Sequence, residues 1–185
     1  TSTSNQAISI AVTSGSGNDT INLAAGTGTV NATVSSGSGN DTLNGGSGND
    51  SIVGGNNNDT IIGGLGADTL TGSAGDDVFV YLDKDDTGDT ITGFEIGNAG
   101  STGDKIDFSA LLTGTLGPNS NGTLGFSTSA LAANSVYVFK ELAIPNDTTS
   151  TRTVVQVDLD GNLNTAEVEI IVTGNVNLTA GNFIL

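Results

Sequence analysis

Asp19, Asp41, Asp50, Asp59, Asp68 and Asp77 each occupy the sixth place of a Gly-rich nonapeptide. The units read SGSGNDTIN from Ser14, SGSGNDTLN from Ser36, GGSGNDSIV from Gly45, GGNNNDTII from Gly54, GGLGADTLT from Gly63 and GSAGDDVFV from Gly72. Over residues 36–80 they follow one another without a gap. One such unit reads as an ordinary Asx or type I′ turn, whereas six, five of them in exact tandem, read as a repeat architecture. Carboxylates brought together in this way repel unless a counter-ion lies between them. A set of carboxylate and carbonyl oxygens, with no nitrogen or sulfur, suits a hard cation and Ca2+ in particular.

The rest of the composition removes competing chemistries. The 185 residues include 20 Asp and Glu against 4 Lys and Arg, a net charge of -16. Such a chain attracts cations and repels nucleic acid and anionic membranes. There is no Cys and no His, which excludes disulfides, thiolate or His-ligated metal sites and Ser-His-Asp catalysis. Ser127 in GFSTS therefore lacks an activating base, and we expect no enzymatic activity. No apolar run approaches the length of a membrane span. The opening TSTSNQAISI has no basic region of a secretory signal, and the missing initial Met leads us to expect a processed product or a piece of a longer chain.

The elements that must position the acids follow from the remaining places in the repeat. Gly at places one, two and four permits positive φ and tight turns. The three residues after each Asp have strand character, and alternation turns the eighth place inward: Ile21, Leu43, Ile52, Ile61, Leu70 and Phe79. Two nonapeptides then make one coil of a flattened right-handed solenoid, stabilised by stacking on its neighbours. The fold class is all-β, a parallel roll. Asp19, Asp41, Asp59 and Asp77 would line one edge, with Asp50 and Asp68 on the other. Asp19 lies twenty-two residues before Asp41, whereas regular coils use eighteen. The intervening AAGTGTVNATV reads as a half-coil without an acid. Its extra residues are expected in longer strands around Val30 and Val34, and its turn at residues 26–29 is expected to hold no ion.

These units resemble the RTX (hemolysin-type) repeats, calcium-binding nonapeptides of pattern G-G-x-G-x-D-x-U-x with U apolar. The resemblance implies that backbone oxygens of places one, two and four join the sixth-place carboxylate around Ca2+. In this chain those are Ser14, Gly15 and Gly17; Ser36, Gly37 and Gly39; Gly45, Gly46 and Gly48; Gly54, Gly55 and Asn57; Gly63, Gly64 and Gly66; and Gly72, Ser73 and Gly75. Asn57 and the Ser residues depart from the pattern. Residues 76–112, with FVY, DTITGF and GDKIDFSALL, are similar to the segment that follows the roll in serralysin-type exoproteins. There one or two acids complete the final sites. Asp89 fits best and Asp86 second, while Asp83 and Asp85 read as solvated charge.

We divide the chain into a roll over residues 1–80 and a β-rich cap over residues 81–185. In the cap, VYVFKEL reads as a strand and TVVQVDLDGNLNTAEVEIIVTG as a hairpin turning at Asp160-Gly161. Asp158, Asp160 and Asn162 do not match an EF-hand spacing. The closing VNLTAGNFIL is similar to the uncleaved tails that direct type I secretion, so the partners implied are calcium ions and that secretion apparatus. Two functions follow for a secreted, extracellular module. One is the C-terminal part of an S-layer or adhesin-type surface protein, with self-assembly or a cell-surface partner. The other is the calcium-folded tail of a larger secreted enzyme such as a protease, lipase or alginate epimerase.

Overall fold

The short β-branched and aliphatic stretch after each sixth-place Asp forms a strand, and each Gly-rich stretch turns the chain back. In the computed structural model these strands are β1 (Ile8–Ser16), β2 (Thr20–Asn22), β3 (Val30–Ser38), β4 (Thr42–Ser47), β5 (Ser51–Asn56), β6 (Thr60–Leu65), β7 (Thr69–Ala74) and β8 (Val78–Val80). Beyond them lie β9 (Asp89–Thr92), β10 (Lys105–Asp107), β11 (Gly125–Ser127), β12 (Ser135–Leu142), β13 (Thr151–Asp158), β14 (Val168–Thr173) and β15 (Phe183–Ile184). Two 3-10 turns, Ser109–Thr113 and Ala180–Asn182, complete the described elements, among which there is no α-helix. The structure describes residues 8–24, 29–98, 100–113, 125–127, 135–142, 151–158, 168–174 and 176–185. The expected turns at residues 26–28 and at Asp160-Gly161, and Asn162, lie outside the described residues.

From β1 to β10 the odd and even strands separate into two sheets, parallel within each. One has the order β1-β3-β5-β7-β9-β14-β13-β12-β11 and the other β15-β10-β8-β6-β4-β2. This is a parallel β-roll. The first sheet stays parallel as far as β14, after which β13 and β12 pair antiparallel. The β13–β14 hairpin matches the sequence expectation, with Val168, Ile170 and Val172 buried and Glu169 exposed.

Register explains the core. Val34 pairs with Ile52, Ile52 with Leu70 and Leu70 with Ile91 in one sheet. Ile21, Leu43, Ile61, Phe79, Ile106 and Phe183 form the facing column in the other. Leu43, Ile52, Ile61 and Phe79 have no exposed surface, and Ile21 at the first coil keeps 9%. Each such side chain contributes about 1.5–3 kcal/mol of burial. Aromatic rings close the end past β8: Tyr81 lies against Phe108 with centroids 5.4 Å apart, and Phe108 stacks on Phe183 at 6.1 Å.

The first coil departs in part from expectation. β3 has nine residues against six in β5, as the longer-strand reading requires. The extra residues enter before β3, however. Asn22 still pairs with Asn44 at the longer spacing, while Thr33 pairs with Ser51 at the regular one. A side chain on Gly46 would meet Leu23 and Ala24, and one on Gly48 would meet Val30. The four additional residues therefore fall between Ala24 and Val30.

Candidate metal centre

Alternation along each strand turns the sixth, eighth and next first places into the interior. The sixth-place carboxylates are accordingly buried: Asp41, Asp50, Asp59, Asp68 and Asp77 are 0–3% exposed. Each uses one oxygen to stitch coils together. The Asp19 N–H donates to Asp41 Oδ1 at 2.7 Å, that of Asp41 to Asp59 Oδ1 at 2.8 Å, and that of Asp59 to Asp77 Oδ1 at 2.8 Å. On the opposite edge Ala32 N donates to Asp50 Oδ1 at 2.7 Å, Asp50 N to Asp68 Oδ1 at 2.7 Å, and Asp68 N to Asp89 Oδ1 at 2.8 Å. These two ladders are the two edges read from the spacing. Ala32 stands where the half-coil lacks its acid.

The other oxygen of each carboxylate has no partner. Asp19, Asp41, Asp50, Asp59, Asp68, Asp77 and Asp89 all carry a buried Oδ2 without a hydrogen bond. A buried unsatisfied acceptor costs about 1–3 kcal/mol, and more when it is charged. The first-place glycines make the space around that oxygen. A Cβ on Gly45, Gly54, Gly63 or Gly72 would overlap Oδ2 of Asp50, Asp59, Asp68 or Asp77. The φ angles of these four lie outside the left-handed range, so their smallness is needed for room, which corrects the sequence reading of positive φ at place one. Ser14 and Ser36 occupy this place in their own repeats, and their Oγ atoms donate to the Ser36 and Gly54 carbonyls at 2.9 and 2.6 Å.

Places two and four do adopt the left-handed region, including Asn57 at φ 74° and Ser73 at φ 83°. They also permit close stacking. The carbonyls of Gly15, Gly17, Gly37, Gly46, Gly48 and Asn57 point at the Cα of the glycine in the next coil, where any side chain would collide. The inter-coil edge thus combines inward carboxylate oxygens with carbonyls directed along the roll axis. Orphaned anionic oxygens, a cradle that a methyl group would fill and an oxygen-only donor set fit a hard divalent cation.

Burial sets the electrostatics. Desolvation, then the charges of Asp77 and Asp41, pushes the Asp59 pKa up to about 6. Desolvation, then Asp89 and Asp50, takes Asp68 to about 7. Asp50, Asp77 and Asp89 shift upward from the same leading cause. A cation placed among them would reverse the cost of ionisation.

Asp86 and Asp89 are both buried, while Asp83 and Asp85 face solvent, with Asp85 paired to Lys84. Asp89 extends the second ladder. Three features were not anticipated from the sequence. Asp104 extends the first ladder, accepting from Asp77 N at 3.0 Å, but its Oδ2 accepts from Glu95 N at 2.8 Å and is not free. The fifth-place Asn residues form a second ladder. Asn18, Asn40 and Asn58 Oδ1 accept from the N–H of Asn40, Asn58 and Asp76, and Asn31 and Asn49 do the same on the other edge. Tyr81, the third, buries its hydroxyl beside Asp89.

A two-sheet parallel roll whose coils are joined by ladders of aspartates on Gly-rich turns defines an RTX-type repeat protein. The chain belongs to the family described as Peptidase M10 serralysin C terminal, whose model matches residues 1–185. Among solved structures it is similar to the AlgE6R3 subunit of the Azotobacter vinelandii mannuronan C5-epimerase. The two are 23% identical over 94% of this chain and 80% of that one, with a TM-score of 0.44. The AlgE6R2 subunit of that epimerase is 23% identical over 97% of this chain and 92% of the other, with a TM-score of 0.31. No curated protein matches the sequence.

Proposed function

We propose that this chain is a calcium-folded, non-catalytic module of a secreted protein, with Ca2+ held between successive coils at the sixth-place aspartates. The observation that carries this reading is the row of buried Oδ2 atoms without partners, one per repeat, beside first-place residues kept small. Asp19, Asp41, Asp59 and Asp77 would serve the first edge, and Asp50, Asp68 and Asp89 the second. The carbonyls of places two and four would complete each shell. Bound Ca2+ supplies the positive charge that lets these carboxylates stay ionised while buried. The chain's own part is to hold the oxygens in register through the Oδ1 and Asn ladders and to exclude water with the apolar column.

This chemistry ties folding to compartment. In the low-calcium cytosol the self-repelling chain would remain unfolded and competent for type I export, and it would fold outside, where Ca2+ is millimolar. The family description, the C-terminal part of a peptidase, favours the tail of a larger secreted enzyme over an S-layer or adhesin role. The test is a Ca2+ titration followed by circular dichroism. A cooperative gain of β signal with Ca2+, reversed by chelator, supports the reading. A full β spectrum in excess chelator that Ca2+ leaves unchanged refutes it.

A further inference from the structure

We propose that the N-terminal end of the roll is a self-association surface, on which β1 of one copy pairs antiparallel with β1 of a second copy. Among the described residues β1 pairs with β3 alone and stands at the edge of its sheet, so one row of its N–H and C=O groups faces outward along nine residues. Ile8, Ile10 and Val12 fall in register with Val30, Ala32 and Val34, on the face that forms the core. Ala32 and Val34 are buried there, whereas Ile8 and Ile10, in the outermost described coil, are 58% and 37% exposed. A long, flat, apolar edge strand is ordinarily blunted by charge, Pro or a bulge. ISIAVTSGS contains neither Pro nor any charged residue.

The turn at this end is open in the same way. Gly37 and Gly39 receive the carbonyls of Gly15 and Gly17 where a Cβ would stand. Gly15 and Gly17 share the left-handed φ, yet among the described residues nothing occupies the corresponding space beside them. The first coil therefore presents outward the surface on which inner coils stack.

Charge selects the occupant. The chain carries -16, so a second copy is repelled from most of its surface. Residues 1–40 hold one of the 20 acids, Asp19, and none of the 4 bases. Two copies thus meet at this end with the least repulsion. A two-fold axis normal to the sheets joins β1 to the partner subunit's β1 and makes an isologous interface. It keeps the core face of both sheets on the same side, because opposed residues of an antiparallel pair share a face. It also sets the edge bearing Asp19 in each copy against the other edge of its partner. The first acid on that other edge is Asp50, which accepts from Ala32 a coil further in. The apolar column then runs on from one roll into the next and covers Ile8 and Ile10.

Sedimentation velocity of the 185-residue chain in saturating Ca2+, over a range of protein concentrations, tests the interface. A monomer–dimer equilibrium is expected. Ile10→Lys sets two like charges across the axis and should raise the dimer Kd by roughly ten-fold or more, with the β circular dichroism signal retained. Leu65→Lys, at an exposed apolar site elsewhere, should leave the Kd unchanged. The chain has no Cys, so single cysteines report the contact directly. Oxidation of an equimolar mixture of Ala11→Cys and Thr13→Cys should give disulfide-linked dimers, because opposed residues of an antiparallel pair lie within disulfide reach. Leu65→Cys should not cross-link. A folded chain that stays monomeric, or a dimer that Ile10→Lys leaves intact, would overturn the proposal. If Ile10→Lys does not fold, the cross-link decides, and its absence overturns the interface. A chain that folds and dimerises through β1 in chelator would contradict the calcium reading and leave this interface standing.

Discussion

The repeat aspartates from Asp41 to Asp77 use their two oxygens differently: Oδ1 accepts an N–H from the preceding coil and Oδ2 has no hydrogen-bond partner. Asp59 is tied to coils on both sides, accepting from Asp41 N on Oδ1 and donating its own N–H to Asp77 Oδ1, whereas Asp19 begins its ladder and donates only to Asp41. Asp59→Ala is therefore expected to raise the Ca2+ midpoint several-fold and to remove more ions than Asp19→Ala, as measured by calorimetric titration. Equal, negligible effects would contradict shared sites. The first-place glycine has an equally local role. Gly54→Ala places a methyl group on Asp59 Oδ2 and is expected to cost about 1–3 kcal/mol of stability in saturating Ca2+, read from denaturant midpoints. The raised pKa values add a pH dependence. In the Ca2+-free chain Asp59 and Asp68 bind protons more tightly when folded, with pKa values of about 6 and 7, than unfolded at about 3.9. Stability without Ca2+ should be highest near the unfolded value and fall as pH rises through about 4 to 7. Over the same window Ca2+ affinity should rise, because the ligands must lose their protons. Circular dichroism in chelator at the two ends of the window checks the first sign. At this scale the acids and their edges were legible from spacing alone. The reason for Gly at place one was not, because a close approach to a side chain five residues on exists only once the turn has closed.

A strand in this fold is specified by one inward apolar residue, so its stability is concentrated there. Leu43→Ala, at a fully buried column position, is expected to cost about 2–5 kcal/mol in saturating Ca2+. Leu65→Ala, at the end of β6 and 45% exposed, should change stability by less than about 0.5 kcal/mol in the same thermal or denaturant assay. The strands of the roll and the β13–β14 hairpin could be read from periodicity. The place of Asp104 could not. Asp104-Lys105-Ile106 does match the Asp-x-apolar portion of a repeat, with Ile106 pairing to Phe79, but no Gly-rich turn precedes it at the right spacing. Its ladder position appears only when β10 docks on β8. There the Glu95 N–H takes the oxygen that other repeats leave open. The place of the extra residues before β3 was hidden for a related reason: an insertion between strands leaves the strand pattern on either side unchanged.

Across the whole molecule, one column of apolar residues runs from Ile21 to Phe183 between two edges lined with buried, partnerless anionic oxygens. Few cations of the chain's own are available to neutralise them, with 4 Lys and Arg against 20 acids. Lys84 pairs with exposed Asp85, and Lys105 donates to the carbonyls of Thr102 and Gly181. On the function proposed above, the charge that stabilises the roll would come from solution, and folding and cation uptake would be coupled into one event. The most direct test is a crystal structure grown in Ca2+, with anomalous scattering used to locate the ions. The account predicts peaks between coils, within coordination distance of Oδ2 of Asp41, Asp59 and Asp77 on one edge and of Asp50, Asp68 and Asp89 on the other. Peaks confined to surface acids such as Asp83 and Asp85, with the inward Oδ2 atoms bound only to water, would contradict it.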